Sequence, residues 1–119
     1  MFGGRLSSPH WSLDDALANE VSLQMFVRTV TVTIPVGQEA EMYAFWEWAS
    51  AIVQRQPGYI QGHLWRDVAD RQRFTEVHEW GREEDSNAYR ATEQFREVIG
   101  RLVALSETVP QARGYIVVA

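Results

Sequence analysis

The sequence predicts one α+β domain of the ferredoxin-like, split βαβ type, built on an antiparallel sheet. Three observations lead there. Alternating, β-branched segments and segments with apolar residues at three- and four-residue spacings follow in the order strand, helix, strand, strand, helix, strand. Pro/Gly pairs and polar clusters punctuate the joins. A length of 119 residues, 45% hydrophobic and 23% charged, suits a single domain that can bury a core of its own.

Residues 1–23 read as an N-terminal arm. Gly3, Gly4, Ser7, Ser8 and Pro9 are loop chemistry, and Ser12 can cap a short helix over Leu13–Asn19 with Asp14 and Asp15 in its first turn. The domain proper spans residues 24–119. Its clearest strand is Met25–Ile34, rich in β-branched residues, with Phe26, Arg28, Val30, Val32 and Ile34 on one face and Thr29, Thr31 and Thr33 on the other. Pro35-Val36-Gly37 stops it. Gln38–Gln56 follows as a helix whose stripe is Met42, Phe45, Trp46, Ala49, Ile52 and Val53, with Tyr43 and Trp48 at its edges. Pro57-Gly58 ends the helix. Tyr59–Arg66 and Arg73–Trp80 form a strand pair around the polar turn Asp67–Gln72. Glu83–Leu105 is helical, with a stripe of Ala88, Thr92, Phe95, Ile99, Leu102 and Val103 and a break expected near Ala91-Thr92, where the face drifts. Pro110 marks a loop, and Tyr115–Val118 a last short strand.

Both faces of the strands carry bulky groups: His63 and Trp65 alternate with Leu64, and Val77 with His78. A sheet apolar on both sides needs a cover beyond its own helices, and a two-fold copy of the chain is the simplest one. A homodimer is therefore expected.

Composition removes several function classes. There is no cysteine, which excludes disulfides, thiolate metal sites, iron–sulfur clusters and cysteine nucleophiles. The net charge is −5, with eleven basic residues scattered among sixteen acidic ones, so the basic footprint of a nucleic-acid binder is missing. No apolar run is long enough to span a bilayer, and Pro9, His10, Asp14 and Asp15 interrupt any signal-peptide core, so a cytoplasmic protein is expected. No glycine-rich phosphate loop and no Gly-x-Ser-x-Gly nucleophile setting occurs.

Glu76, His78 and Trp80 alternate on one strand and so share a face, and Arg28 lies on the first strand. A histidine titrates near pH 6.5 when unperturbed, which fits it to act as a general base at neutral pH. The alternative for His78 is a sheet residue paired with Glu76 or Arg28. Trp48, Trp80, Tyr89 and Phe95 read as core or interface, and alternatively as walls for a flat ligand. His63 faces His78 if the turn between their strands is of even length, but no metal-binding histidine spacing accompanies the pair.

Three segments resemble the antibiotic biosynthesis monooxygenase family, a branch of the dimeric α+β barrels. They are Val30–Gly37, a strand ending in a Pro/Gly turn before an amphipathic helix; Pro57-Gly58-Tyr59, the step into the second strand; and Arg73-Phe74-Thr75-Glu76-Val77-His78-Glu79-Trp80, a strand closing on Trp before a charged helix start. Phe95 falls where the family often has an aromatic in the second helix. The resemblance covers about residues 25–118. It implies a cavity between sheet and helices, into which Glu76, His78, Trp80 and Arg28 point.

The family's heme-degrading branch uses an Asn, a Trp and an iron-ligating His where this chain has Val30, Tyr89 and Val98, so the resemblance implies no heme. Its anthrone-oxidising branch has an Asn, here Glu76, four residues before the strand-three Trp, which Trp80 matches, and a Tyr in the next helix, for which Tyr89 can stand. The implied activity is a cofactor-independent monooxygenase that oxidises an aromatic polyketide-type molecule, anthrone to quinone, with dioxygen as co-substrate and neither flavin nor metal. His78, Trp80 and Tyr89 would be catalytic, and Arg28, Glu76, Trp48 and Phe95 would bind substrate. A polyketide cyclase or isomerase on the same barrel, or a non-catalytic ligand-binding accessory dimer, are the rival readings.

Overall fold

A computed structural model of the chain describes residues 24–119, so the arm expected over residues 1–23 lies outside the described residues. The elements are β1 (Phe26–Thr33), α1 (Glu39–Val53), β2 (Tyr59–Arg66), β3 (Arg73–Trp80), α2 (Glu83–Arg90), α3 (Glu93–Leu105) and β4 (Gln111–Ile116). The four strands form one sheet in the order β2-β3-β1-β4, every neighbouring pair antiparallel. This is the split βαβ topology expected from the element order.

The second long helix is divided. Thr92 takes extended backbone angles, its Oγ1 donates to the Tyr89 carbonyl at 2.7 Å, and the same oxygen accepts from the Phe95 amide at 3.1 Å, which caps α3. That break resets the helical phase. Ser86 and Tyr89 turn inward on α2, and Val98 and Leu102 on α3, whereas Ala88 and Val103 from the expected stripe are exposed.

Two further boundaries differ from expectation. The last strand begins at Gln111, pairing with Thr31 of β1, and its pairing ends at Ile116, opposite Phe26. Its first residues are polar and exposed because β4 is an edge strand, so apolar patterning does not mark them. At the other edge, a bulge between Tyr59 and Gln61 interrupts the β2–β3 register. Tyr59 pairs with Trp80 while Gln61 pairs with Glu79, so two residues that strict alternation would put on one face end on opposite faces.

The interior has two lobes. One packs Val32, Ile34, Met42, Phe45, Ala49, Phe74, Val98 and Leu102 between sheet and helices. The other gathers Phe26, Val53, Trp80 and Tyr89, with Tyr59, Phe95 and Ile116 against them. Burying one such apolar side chain contributes about 1.5–3 kcal/mol, so the first lobe is the main source of stability. Among the described residues the opposite face of the sheet carries no helix; Trp65 is 57% and Tyr115 48% exposed there.

Candidate active site

The cavity grows from strand alternation. Glu76, His78 and Trp80 project from β3 toward the helices, and Arg28 and Val30 do so from β1, where Arg28 is the register partner of His78. The helices close the space with Ala49 and Val53 from α1, Ser86, Tyr89 and Arg90 from α2, and Phe95, Val98, Ile99 and Leu102 from α3. The volume is about 250 Å³. That is just below the roughly 300–1,000 Å³ typical of ligand cavities and suits one compact molecule.

The cavity's polar groups are few. His78 Nε2 lies 3.1 Å from Glu76 Oε1, and His78 Nδ1 lies 2.9 Å from the Tyr59 hydroxyl. The Trp46 ring stacks on the imidazole at 5.5 Å between centroids. Glu76 is buried, and its second oxygen, Oε2, has no hydrogen-bond partner. A buried polar atom left unpaired costs about 1–3 kcal/mol, so this oxygen calls for an explanation beyond packing.

Arg28 Nε donates a long 3.4 Å hydrogen bond to Ser86 Oγ. Burial, and next the charge of Arg90, hold the Arg28 guanidinium below its ordinary value, with Glu83 opposing. It remains a cation at any physiological pH. Burial, with the charge of Glu76 adding to it, pushes the Tyr89 phenol up to about 12. Tyr89 is thus a hydrogen-bond donor, not a base, in the neutral range. The aromatic wall is continuous: Trp80 lies 5.8 Å from Tyr89, and Tyr89 meets Phe95 edge to face at 5.3 Å, while Tyr59, outside the cavity lining, backs Trp80 edge to face at 5.0 Å.

Six of the seven residues singled out from the sequence meet here: Arg28, Glu76, His78, Trp80, Tyr89 and Phe95. Trp48 does not. It faces a surface groove between α1 and α3, with the Arg101 guanidinium 4.0 Å above its ring, because its position at the helix edge turns it away from the sheet end that holds the cavity. His63 is also separate. Gly62, not His63, pairs with His78, so His63 lies opposite Val77 on the face away from the helices α1–α3. Among the described residues no group of three His, Asp or Glu side chains is arranged to hold a metal ion.

Pattern reading missed Tyr59, Ser86 and Arg90. Ser86 was accessible by counting three back from Tyr89, and Arg90 by counting four forward from Ser86 on the same helix. Tyr59 was hidden by the bulge.

The model of the antibiotic biosynthesis monooxygenase family matches residues 25–101, which include β1 through most of α3. The chain belongs to that family. Among solved structures, a Bordetella bronchiseptica protein carrying the same family designation superposes with a TM-score of 0.73 at 22% identity, covering 81% of this chain and 99% of the other. SnoaB from Streptomyces nogalater, described as a cofactor-independent oxygenase, gives 0.72 at 19% identity, covering 81% and 95%. A conserved protein from Methanosarcina mazei gives 0.72 at 11%, covering 83% and 97%. At these identities the likeness is one of fold. No curated protein matches the sequence.

Proposed function

We propose that this member of the family is a cofactor-independent monooxygenase that oxidises an aromatic, polyketide-type molecule, converting an anthrone to a quinone. Family membership supports monooxygenase chemistry in general. The observation that carries the finer reading is a buried carboxylate, Glu76, lining a cavity walled by Trp80, Tyr89 and Phe95, with one of its oxygens, Oε2, left without a protein partner.

The flat substrate stacks along the aromatic wall. Glu76 takes a proton from the activated methylene as general base. His78 was the expected base, but both its ring nitrogens are engaged, one by Glu76 and one by Tyr59. Its role becomes support of the carboxylate. Deprotonation yields an electron-rich carbanion whose enolate oxygen is stabilised by Arg28. The carbanion passes its electrons to dioxygen and forms a carbon–oxygen bond, giving a peroxide that Tyr89 protonates. Loss of water from the hydroperoxide leaves the quinone carbonyl. One oxygen atom ends in product and one in water, and the methylene carbon is the only reductant.

The reading extends to a homodimer in the cytoplasm, with Trp65 and Tyr115 of the uncovered sheet face buried against the second copy. Light scattering at micromolar protein tests this, and a monomer contradicts it.

The enzyme reading is tested by oxygen uptake with a panel of anthrones, quinone absorbance followed in parallel, with chelator present and no flavin. Uptake matched one to one by quinone, and lost in Glu76→Gln, is expected. Turnover that continues without oxygen would replace the oxygenase with a cyclase or isomerase on the same groups. Binding without turnover in either condition would leave an accessory ligand-binding dimer.

A further inference from the structure

We propose that Tyr59 is a positioning residue of this site: its hydroxyl fixes the tautomer of His78, so that the imidazole N–H is directed at Glu76 and the second carboxylate oxygen is kept for the substrate. The inference rests on the reading of Glu76 as the base and adds a residue that touches neither substrate nor oxygen.

A carboxylate oxygen only accepts, so the 3.1 Å contact between Glu76 Oε1 and His78 Nε2 puts a proton on Nε2. In a neutral imidazole Nδ1 is then an acceptor, and the Tyr59 hydroxyl at 2.9 Å donates to it. Burial, followed by the charge of Glu76, holds the Tyr59 phenol above its ordinary value, which keeps that donor protonated. With a neutral imidazole the chain of donors runs one way, from Tyr59 to His78 to Glu76. Arg28, the register partner of His78 on β1, is turned to Ser86 instead.

Three local features serve this contact. The bulge after Tyr59 brings the ring to the helix side of the sheet. Gly62 lies under the hydroxyl, and a Cβ there would collide with it. Trp46 stacks on the imidazole from α1, so the ring plane is held as well as its nitrogens. An orienting partner of this kind holds a reacting group in one protonation pattern and one direction, as the aspartate does in a Ser-His-Asp triad.

Nitrogen NMR on protein carrying 15N-histidine reads the tautomer directly. The chain has three histidines, and the signals lost in His78→Asn identify the one at issue. The expected wild-type state at neutral pH is a proton on Nε2 and a bare, hydrogen-bonded Nδ1. Tyr59→Phe keeps the ring and its packing. It should shift the Nδ1 signal and lower kcat by about tenfold, the lower end of losses seen when an orienting partner is removed, with KM little changed. Gly62→Ala should move the same signal while leaving the phenol in the chain.

A proton found on Nδ1, a doubly protonated ring, or a Tyr59→Phe protein with wild-type spectrum and kcat would overturn the proposal. If wild-type protein oxidises no aromatic substrate, the oxygenase reading fails, and the spectrum still decides the tautomer.

Discussion

The two lobes of the interior are built on the same strands and differ in nearly everything else. In the lobe around Val32, Ile34, Met42 and Phe74, apolar groups meet apolar groups and almost nothing is exposed. In the lobe around Trp80 and Tyr89, large aromatics surround a cavity that holds a carboxylate, an imidazole and two guanidinium groups. β1 and β3 run through both, carrying Val32 and Phe74 at one end and Arg28, Glu76 and His78 at the other. One end of the sheet provides stability, and its rigidity allows the other end to keep polar groups buried and partly unpaired.

This division can be broken at either end. Glu76→Gln should lower kcat by about 10²–10⁴, the range for removal of a general base, while the melting temperature stays near that of wild type. Phe74→Ala should do the reverse. Deleting a fully buried ring should cost about 3–5 kcal/mol of stability, seen as a large fall in melting temperature, with kcat per folded molecule retained.

Alkaline titration sharpens the contrast. Tyr89 is raised from a usual value near 10 to about 12 in the folded protein, so folding favours its protonated form. The stability this contributes is complete below about pH 10 and is lost as pH rises from there through about 12. Tyr89→Phe should remove part of that alkaline decline, and tyrosinate absorbance should lose a late-titrating component. Thr92→Ala removes the α3 cap and should cost about 1 kcal/mol in denaturant unfolding. The smallest effect belongs to Trp48→Phe, which lies in the groove beneath Arg101 and should leave turnover unchanged.

The sequence disclosed the fold because its periods are clean. Val30, Val32 and Ile34 alternate with threonines, and Met42, Phe45, Ala49 and Val53 keep helical spacing, so element order and the face of β3 that bears Glu76, His78 and Trp80 were legible. The misses have local causes. β4 starts earlier than expected since an edge strand can be polar on both faces. The inward residues of α2 were misphased because capping by Thr92 restarts the helix. Trp48 is an edge aromatic, and helical spacing gives its angle without saying which end of the sheet lies beneath it. Tyr59 was lost to a single bulged residue, which inverts strand alternation at the one position where a hydroxyl reaches His78.

The central claim is that the aromatic lobe directs dioxygen onto a carbanion formed by Glu76. Turnover of an anthrone under 18O₂, with mass spectrometry of the quinone, tests it most directly. The account predicts one 18O atom in the new carbonyl, the other in water, and no labelled product from Glu76→Gln. A quinone carrying oxygen from solvent only, after exchange has been controlled for, would contradict it.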